Sequence, residues 1–147
     1  MLNLSRIKTI GITSVSLSRN SRLIQKLKSK TKCKVIVNNK GRKLKKFELL
    51  NFLKNCDYAI IGLDKIEKNL LLECKKLKGI SKFGVGIDNI DFDACKKLKI
   101  KVKYSKGVNK RSVSEEVLSL MISLIRNLFV SGNNLKNFKW IVNGGTE

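Results

Sequence analysis

YAIIGLDKIEKNLLLECKKLKGISKFGVGIDNIDFDACKKLKIKVKY, residues 58–104, decides how this chain folds. Three short apolar runs, at 58–61, 79–83 and 100–104, alternate with two stretches that carry apolar residues at helical spacing, 66–77 and 91–98. Runs this short and this apolar suit strands covered on both faces. Strands separated by helix-length segments cross over and lie parallel rather than turning back as hairpins. Asp91 stands at the start of the second helical stretch, where its carboxylate can accept from exposed backbone amides.

The same alternation extends upstream. Residues 7–12 and 33–37 read as two more buried strands, with a turn at 13–18 after the first and Asn38-Asn39-Lys40-Gly41 after the second. Between them Ser21–Lys30 places Leu23, Ile24 and Leu27 on one helical face, and 47–53 forms a further helix. Repeated βαβ units with right-handed crossovers give an α/β, doubly wound parallel sheet of about five strands with helices on both faces. The flavodoxin-like order 2-1-3-4-5 fits five strands, and ligands on such sheets bind at the carboxyl ends of the strands. The loops after strands three, four and five are therefore the places to look for chemistry.

From Ser112 the pattern changes. Ser112-Val113-Ser114-Glu115 fits an S-x-x-E capping box, which predicts a long helix starting there. Val113, Val117, Leu120, Met121, Leu124 and Leu128 make one apolar stripe; Leu118, Ile122, Ile125 and Phe129 make a second. A surface helix of a small domain needs one stripe, so this helix expects partners on two sides. The organisation read from these signals is a domain over residues 1–111, then an inter-domain helix and linker over 112–147.

Charge and cysteine usage narrow the function classes. The formal net charge is +21, from 32 Lys and Arg against 11 Asp and Glu. All of the excess lies before residue 112, because the remainder carries three of each sign. The excess is mostly lysine spread over every predicted helix, without the Arg forks and interleaved aromatics of a nucleic-acid surface. Cys33, Cys56, Cys74 and Cys95 lie about twenty residues apart, and histidine is absent, so a zinc site lacks its usual ligands. Four reduced thiols in or near the core are expected instead. No apolar run is long enough to span a bilayer, and the opening residues lack a signal peptide's pattern, which gives a cytoplasmic expectation.

Two stretches carry candidate chemistry. Gly84-Val85-Gly86-Ile87-Asp88-Asn89-Ile90-Asp91 resembles a G-x-G-x-x-G dinucleotide loop, but Asn89 replaces the third glycine and the stretch follows the fourth strand. Asp88 and Asp91 would also repel a pyrophosphate. It reads better as a strand-end loop whose free amides approach a small anion, or as a glycine turn required only by backbone geometry. In Gly107-Val108-Asn109-Lys110-Arg111-Ser112, Asn109 lies between a strand end and a helix start. It suits contact with a carboxylate or an amide, and a purely structural turn equally.

Together and in this order, these stretches resemble the D-isomer-specific 2-hydroxyacid dehydrogenases, particularly the phosphoglycerate dehydrogenase-like branch. Asp57-Tyr58-Ala59-Ile60-Ile61-Gly62-Leu63 resembles the family's third strand and cleft loop. Lys139-Trp140 and Gly145-Thr146-Glu147 resemble the linker that precedes its nucleotide domain. The resemblance implies a substrate-binding half of an NAD-dependent oxidoreductase that moves hydride between nicotinamide and C2 of a small 2-hydroxy or 2-keto acid. It assigns substrate binding to the amides of Val85 and Gly86, to Asn109, to the cleft loop at Gly62 and Leu63, and to Lys82. Val85 would also lie near the nicotinamide of NAD. Relatives acting on phosphoglycerate often carry a basic residue near Gly62, so a phosphorylated substrate is disfavoured here, with Lys82 as partial compensation. The family's acid/base histidine, its supporting Glu, the carbonyl-polarising Arg and the dinucleotide loop belong to its second domain and match nothing in this sequence. The apolar-run lengths and the lysine-rich composition themselves argue against membrane association and against nucleic acid as a partner; the resemblance further implies a homodimer for the full-length protein. Independent of it, a stand-alone flavodoxin-like module binding a small anion or polyanion, inactive as an enzyme, is the alternative.

Overall fold

A computed structural model describes residues 8–141. The predicted strand start at Ile7 and the linker motif Gly145-Thr146-Glu147 lie outside the described residues. The chain divides into two compact units after Lys106. In the first, β1 (Thr9–Ile12), α1 (Val15–Ser18), α2 (Ser21–Lys30), β2 (Lys34–Val37), α3 (Lys46–Leu53), β3 (Tyr58–Ile61), α4 (Lys68–Glu73), β4 (Gly79–Lys82), α5 (Phe92–Lys97) and β5 (Lys101–Lys103) follow in order. The strands form one parallel sheet in the order β2-β1-β3-β4-β5. This is the predicted doubly wound arrangement, with β3 at its centre.

Both faces of this sheet are covered: Ile10 and Ile12 are buried on the face of β1 opposite Gly11, and the largest cluster lies on the other face. Leu49 and Leu53 of α3, Leu70 and Leu71 of α4, and Ala94 and Cys95 of α5 pack with Ala59, Ile61 and Ile80 from the strands. Gly11 of β1 has a packing reason. A Cβ there would stand 2.7 Å from Cys56 Sγ and 3.0 Å from the Phe52 ring, so only glycine lets these side chains lie against the strand. The segment 13–18, expected as a turn, contains the four-residue helix α1, with the Ser14 hydroxyl accepting from Leu17 N. The stripe expected on α2 is only partly used: Ile24 and Leu27 are half-buried and Leu23 is exposed.

Three cysteines are buried, Cys33 is half-buried and all four are free thiols. Burial pushes the Cys56 and Cys74 thiols up to about 11 and raises that of Cys95 as well. Cys56 Sγ also donates to the Phe52 carbonyl at 3.2 Å.

The second unit holds α6 (Lys110–Ile125) and α7 (Leu128–Lys136). Here the sequence reading needs two corrections. The helix begins at Lys110, after Asn109, and Ser112 and Glu115 lie inside it. Ser114 Oγ donates back to the Lys110 carbonyl (2.8 Å), and Glu115 accepts from Arg111 Nε (2.7 Å), a partner that replaces the expected cap. The expected single helix is also divided at Asn127, whose backbone is left-handed (φ 51°). Asparagine tolerates that conformation better than most residues. Apolar residues of both predicted stripes, Val117, Leu118, Met121, Ile122, Leu124 and Phe129 among them, are exposed.

Helix α5 ends in a Schellman motif: Ile100 N donates to the Cys95 carbonyl (2.8 Å) and Lys99 N to that of Lys96 (3.1 Å). The residue in the left-handed position is Lys99 (φ 56°), where glycine is normally favoured. Lys99→Gly is expected to raise stability by about 1 kcal/mol in chemical denaturation, the approximate cost of holding an L-residue in that region; a loss of stability would contradict the strain. The raised thiols predict a pH effect. Their folded values lie above the ordinary 9.0, so the unfolded chain releases protons first. Stability from these sites is intact below pH 9 and is lost as pH rises from 9 to about 11. Denaturation midpoints should fall over that window, less steeply in a Cys56→Ala/Cys74→Ala chain; identical slopes would count against it.

Candidate functional site

Because the strands are parallel, their carboxyl ends lie along one edge. There β1 leads into Thr13-Ser14, β3 into Gly62-Leu63-Asp64, and β4 into Phe83-Gly84-Val85-Gly86. Backbone pairing continues briefly past the strands, with Thr13 N donating to the Ile60 carbonyl (3.0 Å) and Phe83 N to that of Ile61 (2.8 Å). It then stops. Among the described residues, no hydrogen bond uses the amides of Gly84, Val85 or Gly86. Gly84 has a φ of 136°, a conformation that side chains rarely adopt, and it turns the chain out of β4. Gly86 is under no such constraint, since a Cβ there would meet only the end of the Asp88 side chain at 3.3 Å.

Gly84, Val85 and Gly86 line a cavity of about 540 Å³, whose lining also includes Leu63, Lys82 and Asn89. Its charged groups are Lys43, Lys65 and Lys82 against Glu67, Asp88 and Asp91. Two of the carboxylates have other partners: Asp91 Oδ1 caps α5 through Ala94 N (2.8 Å), and Glu67 faces Lys46 (3.4 Å). Lys43 is carried on a loop pinned by Glu48, which accepts from Lys40 (2.7 Å), from Arg42 (2.8 and 2.9 Å) and from the Lys45 amide (2.8 Å). The Arg42 side chain, followed by Lys40 and the Lys45 amide, holds the Glu48 carboxyl well below the usual carboxylate range.

Lys82 stands apart from the other lysines because it is only 8% exposed. Its ammonium donates to the Gly62 carbonyl and to Asn89 Oδ1 (2.9 Å). Among the described residues it forms no ion pair. A second cavity, of about 460 Å³, shares Lys43, Leu63 and Phe83 with the first and is also lined by Gly62, Ser14, Ser16 and Arg19. Gly62 permits this close approach, since a Cβ would lie 3.2 Å from the backbone Cα of Ser14.

Of the sequence candidates, Lys82, Val85, Gly86 and Leu63 line one cavity, and Gly62 supplies a carbonyl to Lys82 from the neighbouring one. Asn109 belongs to the second unit, where it precedes α6 without a side-chain capping bond and its carbonyl accepts from Val113 N (3.0 Å). Sequence reasoning passed over Asn89, noting it only as a broken glycine pattern. It also passed over the buried pair in which Thr13 Oγ1 donates to Asp64 Oδ2 at 2.6 Å. Their sole sequence signal was position, in the loops that follow β1, β3 and β4. Among the described residues, no group of three His, Cys, Asp or Glu could hold a metal ion, and no helix is long and apolar enough to cross a membrane.

Comparison with known proteins bears on the family and the fold. The chain is 32% identical over 98 residues to the hydroxypyruvate reductase of Thermotoga maritima, covering 66% of this chain and 32% of that protein. It is 33% identical over 98 residues to the D-3-phosphoglycerate dehydrogenase of Methanocaldococcus jannaschii, covering 66% and 19%. The chain thus matches a third or less of the length of these curated relatives. Among solved structures, the NAD+-bound 3-phosphoglycerate dehydrogenase of Entamoeba histolytica superposes with a TM-score of 0.69 at 27% identity, over 84% of this chain and 41% of that one. The D-lactate dehydrogenase of Escherichia coli shares the fold, with a TM-score of 0.72 at 19% identity, over 95% and 44%. The family model that matches, over residues 10–141, is the catalytic domain of the D-isomer specific 2-hydroxyacid dehydrogenases. The chain belongs to that family.

Proposed function

We propose that this chain is the substrate-binding part of an NAD-dependent oxidoreductase that transfers hydride between nicotinamide and C2 of a D-2-hydroxy or 2-keto acid. The observation that carries the reading is the free amides of Gly84, Val85 and Gly86 at a strand-end cavity beside the buried ammonium of Lys82. Amides pointing into a concave loop bind carboxylate oxygens, and a cation held in low dielectric strengthens that attraction. Val85 and Gly86 would hold the substrate carboxylate, with Leu63 against its carbon chain. Gly62 serves by fixing Lys82 rather than by direct contact. Asn109 enters the same reading as a further substrate contact by resemblance.

The described residues do not fit the dinucleotide's pyrophosphate. The Gly84-Val85-Gly86 loop follows β4 rather than β1, and Asp88 and Asp91 line the cavity beside it. NAD would therefore be held by a nucleotide-binding domain in a longer product or on a separate chain, with only its nicotinamide end near Val85. By resemblance to the family, proton transfer falls to a histidine, and this sequence has none, so in this reading that group comes from elsewhere. What this chain contributes is orientation: a carboxylate anchored at two amides presents C2 in one direction.

Two outcomes test the reading. The intact mass of the native gene product should exceed the 16.6 kDa of this chain about twofold, and that product should oxidise NADH with a 2-keto acid. A product of 16.6 kDa without a partner chain would favour the anion-binding module instead. Separately, Gly84→Ala should lower stability because of its positive φ, by about 1 kcal/mol. Gly86→Val should leave stability within about 0.5 kcal/mol yet weaken substrate binding at least tenfold by covering the loop amides. Unchanged binding in Gly86→Val would sink the amide assignment.

A further inference from the structure

Asn89 occupies the position where a dinucleotide loop would carry glycine, and both ends of its side-chain amide and its backbone carbonyl are hydrogen-bonded. Its Nδ2 donates to the Gly62 carbonyl (3.1 Å) and to the Asp64 carbonyl (2.6 Å), while Oδ1 accepts from Lys82 Nζ (2.9 Å). Its backbone carbonyl accepts from Ile66 N (2.8 Å), beside the Ile66–Ile90 bridge. One residue thus joins the loop after β3 to the loop after β4 and holds the only buried lysine among the described residues.

An ammonium has three donors, and two of those on Lys82 are taken by neutral acceptors, the Gly62 carbonyl and the Asn89 amide oxygen. Neutral acceptors leave the charge of the ammonium uncancelled, and among the described residues it makes no third hydrogen bond and no ion pair, although Lys82 lines the cavity. An aspartate at position 89 would have nearly the same shape and would neutralise the lysine. It would also set a carboxylate oxygen against two carbonyls. The choice of amide over acid keeps the cation both fixed and free.

We propose that Asn89 is the positioning residue of the anion subsite: it holds the Lys82 ammonium in place without neutralising it, so that an incoming carboxylate supplies the missing counter-charge. The proposal rests on the substrate-site reading above and adds to it a residue that never touches the substrate. Among the described residues the carboxyl groups in the lining, Asp88, Asp91 and Glu67, make no ion pair with Lys82, and Asp64 accepts from Thr13 through Oδ2.

The test is a titration of the full 147-residue, 15N-labelled chain with oxalate, followed by amide resonances. In the native chain oxalate should shift the Val85 and Gly86 amides. In Asn89→Asp the dissociation constant should rise at least tenfold while the spectrum stays dispersed, because the lysine's charge is then met internally. A measurement on the native chain serves if that variant fails to fold. The Asn89 side-chain amide protons should exchange slowly with solvent, and their resonances should move with oxalate in step with those of Val85. Oxalate that leaves residues 84–86 unmoved in the native chain overturns the anion site altogether. Oxalate binding that is equal in a folded Asn89→Asp, or Asn89 amide resonances that stay still while Val85 moves, overturns only the role of Asn89.

Discussion

Parallel pairing is the constraint on which the rest of this structure depends. A strand that runs the same way as its neighbour must be reached by a crossover, so each of the five strands here is followed by a loop at the same edge of the sheet. Ladder hydrogen bonds end at that edge. Any backbone group beyond it needs another partner or remains free for a ligand. In the first unit both outcomes occur: the carbonyls of Gly62 and Asp64 accept from side-chain donors, and among the described residues the amides of Gly84–Gly86 find no acceptor.

The side chains that close this edge are polar and buried, which is costly unless each is satisfied. Asp64, 2% exposed, has one oxygen on the Thr13 hydroxyl and one without a hydrogen-bond partner. Lys82 has two neutral acceptors. An apolar set of the same volume would hold the loops together at less cost in desolvation. What polar residues add is direction, because a hydrogen bond fixes orientation as well as distance. The proposed role, presenting a carboxylate to another reactant, would need that fixed geometry.

The strand runs, the central position of 58–61, the order 2-1-3-4-5 and the Asp91 cap were all legible in the sequence. These follow from local periodicity and from handedness rules that leave few topologies. The misreadings came where a local pattern competed with other partners. Ser112–Glu115 has the spacing of a capping box, yet Lys110 already satisfies the helical geometry and Glu115 is drawn to Arg111. The stripes through Leu128 and Phe129 ran across Asn127, whose left-handed backbone breaks the helix. Glycine content in 84–86 drew attention equally to both glycines, whereas only Gly84 carries a positive φ.

By itself the sequence determined the parallel α/β architecture, the family and which loops follow the strands, because hydrophobic period, helix signals and motif order are properties of neighbours along the chain. Only the tertiary structure decided what those loops do to one another. Lys82, Asn89, Gly62 and Asp64 span 28 residues of sequence and meet at one strand edge, and Thr13 joins from β1. That one lysine among 26 is buried and held by neutral acceptors has no local signature. It results from the register between β3 and β4, where Ile61 pairs with Lys82 and carries Gly62 to within reach of its ammonium.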